Sequence, residues 1–148
     1  MRDIGRTEHF VAGAVGSPGR RIFLIEIDAG SGLEWYLVEK TQVAALAAAA
    51  VEYLSNEPGA PAAPGPDLAE PGEPEFRVGR IGLGEAGGLI AVELHPVPDD
   101  PAEPDSFRVE PSLLGALAAR ALRVVAAGPP ACPLCGLPRE PDVHTCPS

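Results

Sequence analysis

The stretch HFVAGAVGSPGRRIFLIEID, residues 9–28, places two runs of strand-forming residues on either side of a turn signal. Val, Ile and Phe favour extended backbone, and the SPGR between the runs supplies Pro and Gly for a reversal of direction. The stretch therefore predicts a β-hairpin. The next run, LEWYLVEK at residues 33–40, predicts a third strand.

A helix is predicted directly after these strands, in TQVAALAAAAVEYLS at residues 41–55. Its apolar residues recur at helical spacing, and Thr41 is a suitable N-cap. A face made largely of alanine is narrow, so we expect this helix to lie close to the sheet.

The same order of elements returns in the second half of the chain. FRVGRIG, GLIAVELH and SFRVE predict three strands, and PSLLGALAARALRVVAAG at residues 111–128 predicts a helix that begins at a proline and ends before two more. The pattern Phe-x-x-Gly-x-aliphatic-Gly begins at Phe10 and again at Phe76. We interpret this match as an internal repeat. The alternative is that hairpins and helices resemble one another by composition.

Two tracts rich in proline and acidic residues, at residues 56–75 and 96–105, interrupt the predicted elements. They hold few apolar side chains that could offset the entropy of ordering, so we expect exposed linkers. A proline-rich ligand for a recognition domain is the alternative.

Composition limits the classes of function. The chain has 148 residues and a formal net charge of -10. Such a charge repels phosphate backbones, so nucleic acid is an unlikely partner. The sequence shows no signal peptide and no apolar run long enough for a membrane span, so a cytoplasmic protein is expected.

All three cysteines lie near the end of the chain, in ACPLCGLPREPDVHTCPS. The spacing CxxC, eight residues, HxC predicts a structural zinc site with four ligands: Cys132, Cys135, His144 and Cys146. The alternatives are thiols without a ligand and a thioredoxin-like redox pair, but such a pair opens a helix, and here Leu-Pro follows.

Together these patterns predict an α+β fold: a duplicated strand-strand-strand-helix unit that forms one pseudo-symmetric domain with a zinc-ribbon-like tail. The predicted boundaries are residues 1–55 for the first half, 56–75 for the acidic linker, 76–128 for the second half and 129–148 for the tail.

Other candidate residues have ordinary interpretations beside the functional ones. Gly82, Gly84 and Gly87 spell GxGxxG, but a strand is predicted after them where a dinucleotide site needs a helix, so a hairpin loop is favoured. Glu39 and Glu110 occupy matched places before the two helices, where acidic residues commonly serve as helix caps.

Histidine and arginine give weaker signals. His9 and His95 lie at predicted strand ends without a nucleophile at catalytic spacing. A small basic patch is conceivable, although solvated charges are the simpler interpretation; it would comprise Arg20, Arg21, Arg120 and Arg123.

The sequence resembles an actinobacterial family known as domain of unknown function 3090. The resemblance is carried by HFVAGAVGSPGRRIFLIEI, LVEKTQVAALA, EFRVGRIGL, ARALRVVAAGPPACPLCGLP and HTCP. It implies a small cytosolic protein without an established activity, encoded near phosphatase-like and kinase-like proteins that are possible partners. It also implies zinc binding by the CPLCxxP and HxCP motifs.

These observations favour a non-catalytic protein-interaction or scaffold protein with a structural zinc ion. One alternative is an enzyme for a small phosphorylated or thiol metabolite, with its site between the two halves where the matched glutamates and arginines could converge. A second alternative is a zinc-ribbon factor that binds nucleic acid through Arg139 or through Arg120 and Arg123.

Overall fold

A computed structural model describes residues 1–17, 19–55 and 63–127. The described part of the chain forms an α+β fold with a seven-stranded mixed sheet. The elements in chain order are β1 (Arg2–Arg6), β2 (Phe10–Val15), β3 (Ile22–Asp28), β4 (Leu33–Val38), α1 (Lys40–Leu54), β5 (Pro74–Ala86), β6 (Leu89–Pro96), β7 (Asp105–Val109) and α2 (Pro111–Ala126).

The order of strands in the sheet is β1-β7-β6-β5-β4-β3-β2. Strands β2 to β4 form an antiparallel meander, and so do β5 to β7. The two meanders meet through a parallel pairing of β4 with β5, which α1 and the residues after it make possible. Three antiparallel strands followed by a helix thus occur twice, while a common origin of the two halves stays a prediction.

The sheet curls on itself because its two edge strands are consecutive in the chain. Only residues 7–9 separate β1 from β2, yet β1 pairs with β7 at one edge and β2 pairs with β3 at the other. The rings of Phe10 in β2 and Phe107 in β7 are 5.1 Å apart, in an edge-to-face arrangement. Helix α2 lies along β2 and fills the space between the two edges.

One hydrophobic core lies on the inner face of this curled sheet. Alternate residues of the strands point inward, as the two-residue period of a strand requires. Each helix contributes one narrow stripe of buried residues to the core. These residues are Val43, Leu46, Ala47, Ala50, Leu114, Leu117, Ala118 and Ala121. The alanines allow α1 and α2 to pack closely against each other and the strands.

The structure differs from the sequence-based expectation at several boundaries. Strand β1 was not predicted, because RDIGR contains one large apolar residue and gives no alternation. Helix α1 begins two residues earlier than predicted, with Glu39 and not Thr41 at the N-cap. Strand β5 continues through Gly82 and Gly84 to Ala86, so the predicted hairpin loop shrinks to a turn at Gly87 and Gly88.

Residues 63–73 cross the outer face of the sheet, and we call them the strap. The strap contains no helix or strand and most of its side chains are exposed. It begins beside α2, where Gly65 N–H donates to the carbonyl oxygen of Ala116 at 3.0 Å. It then passes over Gly13 of β2 and Trp35 of β4 before β5 begins. These contacts were not expected from its composition.

No helix among the described residues is long and apolar enough to cross a membrane.

Candidate functional site

The predicted zinc ligands Cys132, Cys135, His144 and Cys146 lie outside the described residues. Within residues 1–17, 19–55 and 63–127, no group of three or more His, Cys, Asp or Glu side chains is arranged to hold a metal ion. The zinc site therefore stays a prediction from sequence.

The matched glutamates, Glu39 and Glu110, are the N-caps of α1 and α2. Their carboxylates face different arginines. Glu110 contacts Arg6 at 2.5 Å, and Glu39 lies 4.0 Å from Arg77. The interpretation of both residues as caps agrees with this placement.

Two of the four candidate arginines bind carbonyl oxygens of the chain itself. Arg120 Nε donates to the carbonyl of Gly65 in the strap at 2.8 Å, and Arg21 Nη1 donates to the carbonyl of Val124 near the end of α2 at 3.3 Å. The second bond satisfies an acceptor that the helix leaves open at its C-terminus. Arg21 and Arg120 thus hold elements together.

A surface pocket of about 340 Å³ lies between the β1–β2 connection and the first turn of α2. Its lining residues are Arg6, Thr7, Glu8, Glu110, Ser112, Leu113 and Ala116. The first turn of α2 offers few donors to an anion, because Pro111 has no N–H and Leu113 N–H already donates to the carbonyl of Glu110 at 3.0 Å. With Arg6 paired to Glu110, the lining does not favour a phosphate group.

A partly buried ionic cluster joins three strands at the end of the sheet where β1, β4 and β7 begin. Arg2 donates to both carboxylate oxygens of Asp105, with Nε 2.9 Å from Oδ1 and Nη2 2.8 Å from Oδ2. The same guanidinium binds Glu34, and Tyr36 Oη donates to Asp105 Oδ2 at 2.6 Å. We call these four residues the end cluster.

The end cluster holds its groups in fixed protonation states. Hydrogen bonds from the guanidinium to Asp105 and then to Glu34 raise the pKa of Arg2 further above its ordinary value. Burial, followed by the hydrogen bond to Asp105, raises the pKa of the Tyr36 hydroxyl. A paired arginine and a neutral tyrosine suit a structural clamp, and neither is poised for proton transfer near neutral pH.

A second buried carboxylate, Glu26 of β3, faces the outer side of the sheet beneath the strap. Its side chain is fully buried, and its oxygens accept four hydrogen bonds. Ala69 N–H and Glu70 N–H of the strap donate at 2.8 and 3.1 Å, and Trp35 Nε1 donates at 2.9 Å. The fourth partner is His9 Nε2, 2.6 Å from Oε1.

These partners decide the ionisation of Glu26. Burial alone acts to raise the pKa of the carboxyl group, but the four hydrogen bonds favour the charged form and outweigh it. The net result is a pKa below the ordinary value, so Glu26 is ionised at neutral pH. The group is saturated with donors, and its role is to hold the strap on the sheet.

His95 takes part in a smaller, partly exposed cluster on the outer face of β5 and β6. Its Nε2 lies 2.9 Å from Glu93 Oε1 and 3.2 Å from Arg80 Nη2. The three side chains come from paired positions of one hairpin, since Arg80 faces His95 directly. No buried side-chain nitrogen or oxygen of the described residues lacks a hydrogen-bond partner.

The part of β5 beyond its pairing with β4 has a free edge, in addition to the edges that β1 and β2 give the sheet. The pairing of β4 with β5 ends at Leu37 and Arg77. Just beyond it, Gln42 Nε2 donates to the Val78 carbonyl oxygen at 2.9 Å. The two-residue turn makes Ala86 and Leu89 a hydrogen-bonded pair, so Gly84 and Gly82 also bond to β6. The backbone N–H and C=O groups that point away from β6, and that have no partner among the described residues, belong to Ile81, Leu83 and Glu85.

Sequence reasoning missed both buried carboxylates. Glu26 carried a usable signal, because it interrupts the apolar run IFLIEID at a position flanked by isoleucines. Asp105 carried no such signal, since it is the last residue of the tract of prolines and acidic residues that is predicted to be a linker. The free edge of β5 depends on where β4 stops, which only the fold shows.

Comparisons with known proteins place the chain in a family without adding an activity. No match to the chain was found among curated proteins or among solved structures. The family model described as protein of unknown function, DUF3090, matches residues 3–146. Because this match spans nearly the whole sequence, the chain belongs to the DUF3090 family.

Proposed function

We propose that the protein is a non-catalytic interaction or scaffold protein that binds a partner through the free edge of β5. The observation that carries this proposal is the set of outward backbone groups of Ile81, Leu83 and Glu85. An extended segment can add to such an edge as a further strand, with main-chain hydrogen bonds supplying affinity.

The proposed occupant is an extended segment of another protein with basic residues beside it. The net charge of -10 makes a second copy of this chain unfavourable and attracts a cationic partner. Glu85 stands exposed on the edge itself. The phosphatase-like and kinase-like proteins that the family resemblance suggests are the first partners to test.

A structural zinc ion in the tail completes the proposal. Two thiolates of a CxxC pair and the imidazole and thiolate of an HxC pair form a closed set of four ligands: Cys132, Cys135, His144 and Cys146. A closed set leaves no coordination position for a substrate. Such a site would give the tail a rigid shape, which suits protein contacts.

The two meanders support a scaffold role in a further way. We infer that they are copies of one strand-strand-strand-helix unit, which is supported by the recurrence of that element order and of the Phe-x-x-Gly-x-aliphatic-Gly pattern. Duplication builds a large sheet from a unit too small to bury a core alone.

The test uses proline to remove one outward N–H from the edge. Tagged wild-type protein, Glu85→Pro and Glu85→Ala are used for affinity capture from native cells, followed by mass spectrometry and titration of each purified candidate. The alanine variant keeps the N–H and loses only the side chain. We expect a partner that binds the wild-type and alanine proteins and is lost with proline. Binding that is equal for all three proteins would refute the proposed edge.

A further inference from the structure

The strap is held mainly by polar contacts, which distinguishes it from the rest of the fold. Two of its backbone N–H groups donate to Glu26, and Gly65 exchanges hydrogen bonds with Ala116 and Arg120 of α2. Its main apolar contact is made by Leu68, which lies over Gly13 so closely that a Cβ there would be 2.6 Å from Leu68 Cγ.

The surface beneath the strap is apolar around one charge. Val11 and Leu24 are buried on the outer side of β2 and β3, and neither belongs to the main core cluster. Trp35 lies beside them on β4, with Gly72 of the strap packed against its six-membered ring. The strap therefore covers a second, smaller apolar surface with Glu26 at its centre.

Opening of the strap costs less than the opening of a core element. Four strap-to-protein hydrogen bonds would be replaced by hydrogen bonds to water, and the ionised carboxylate of Glu26 would gain hydration that offsets the donors it loses. Few strap side chains are buried, so little apolar area is exposed from the strap itself. Segments with these properties open locally while the remaining structure stays folded.

We propose that the strap is a latch that opens as one unit from a folded sheet, with Glu26 as the group that holds it shut. Opening exposes Trp35, Val11 and Leu24 to solvent and releases residues 63–73 from the sheet. The latch is independent of the β5 edge, because the strap ends where β5 begins and covers the other meander, β2 to β4.

Hydrogen exchange measured by NMR tests whether the strap opens by itself. The reporters are the Ala69 and Glu70 amides, which donate to Glu26, and the references are the Ile25 and Ile27 amides of β3, which is paired with strands on both sides. In the wild type, we expect the strap amides to be protected but to exchange at least about tenfold faster than the references.

Leu68→Ala weakens the latch without touching Glu26. Loss of part of an apolar contact is expected to speed exchange of the Ala69 and Glu70 amides about tenfold and to leave Ile25 and Ile27 unchanged. The matched control is Leu122→Ala, which removes an exposed leucine of α2 and should change neither set. Strap amides that exchange at the reference rate in both variants, or that are unprotected in the wild type, would overturn the proposal.

The single tryptophan gives a second readout. In Gly72→Leu the new side chain has no space against the Trp35 ring, so the strap should stay open there and the emission of Trp35 should move to longer wavelength. Cooperative unfolding of the sheet should persist. An unchanged emission spectrum in a folded Gly72→Leu protein would also overturn the latch.

Discussion

At the scale of single residues, Glu26 shows how a charge can be stable inside a sheet protein. Removing a carboxylate from water is costly, and here the cost is offset by two backbone donors, one indole and one imidazole. Each donor comes from a different part of the chain except the two of the strap. The charge therefore specifies how β3, β4, the β1–β2 connection and the strap fit together.

Glu26 makes stability depend on pH in a definite direction. Its folded-state pKa is lowered from the ordinary 4.5, so the stabilisation is fully present above that value and is lost as the pH falls through the folded-state pKa. We expect Glu26→Gln to cost about 3 kcal/mol at neutral pH, because an amide places a donor against donors. Urea unfolding at neutral and acidic pH measures this.

Measuring the cost of Glu26→Gln at several pH values tests whether the charge on Glu26 is the cause of that cost. The difference in unfolding free energy between wild type and Glu26→Gln should shrink below pH 4.5, where this carboxyl begins to take up a proton in the unfolded wild-type chain. Glu75→Gln, an exposed position at the start of β5, is the control and should show little difference at any pH. A difference for Glu26→Gln that is independent of pH would contradict the assignment.

Tyr36 makes the opposite prediction at high pH. Its pKa is raised above the ordinary 10.0, so its contribution is complete below that value and is lost as the pH rises through the folded-state pKa. Absorbance titration of the native protein should show one tyrosine that resists ionisation, and Tyr36→Phe should remove it. The variant should cost about 1 kcal/mol, since Asp105 keeps both bonds from Arg2. Ionisation of both wild-type tyrosines at ordinary values would contradict the structure.

At the scale of elements, the sequence of the β5–β6 hairpin determines the type of its turn and, through the turn, the register of the two strands. Gly87 and Gly88 adopt φ values of 60° and 88°, which a two-residue turn of type I′ requires. The turn fixes the register, and the register decides which backbone groups of β5 point outward. The free edge is thus a consequence of two glycines in the turn and of the early end of β4.

Proline substitution tests this register directly. Gly84 N–H donates across the hairpin, so Gly84→Pro should cost about 3 kcal/mol or more. Glu85 N–H points away from β6, so Glu85→Pro should cost much less. Thermal unfolding of the two variants measures the difference. If Glu85→Pro proved the more damaging, the register and the assignment of the free edge would both be wrong.

Most elements of the fold could be predicted from sequence because their signals are local. The run of strand-forming residues in IFLIEID and the helical spacing of Val43, Leu46 and Ala50 depend only on neighbouring residues. Strand β1 and the strap could not be predicted in this way. Strand β1 is stabilised by parallel pairing with the distant β7, and the strap is stabilised by backbone bonds to Glu26 that its composition does not reveal.

At the scale of the whole molecule, the first residues of the chain close the sheet. Arg2 lies on β1 and binds carboxylates on β7 and β4, which are separated by two strands in the sheet. The end cluster therefore joins the two meanders across the inner face at one end, while α1 and α2 pack together over the rest. The described residues form one hydrophobic core.

The predicted zinc site can be tested separately from this core. Purified protein should contain about one zinc ion per chain, and His144→Ala or Cys135→Ser should lose it while the cooperative unfolding of the sheet is unchanged. His144→Ala separates zinc from a redox pair, because a dithiol of Cys132 and Cys135 does not require the imidazole. Glu140→Gln, between the two ligand pairs, is the control and should keep its metal. Metal-free wild-type protein from a chelator-free preparation would rule the site out, and zinc retained in His144→Ala would remove that residue from the ligand set.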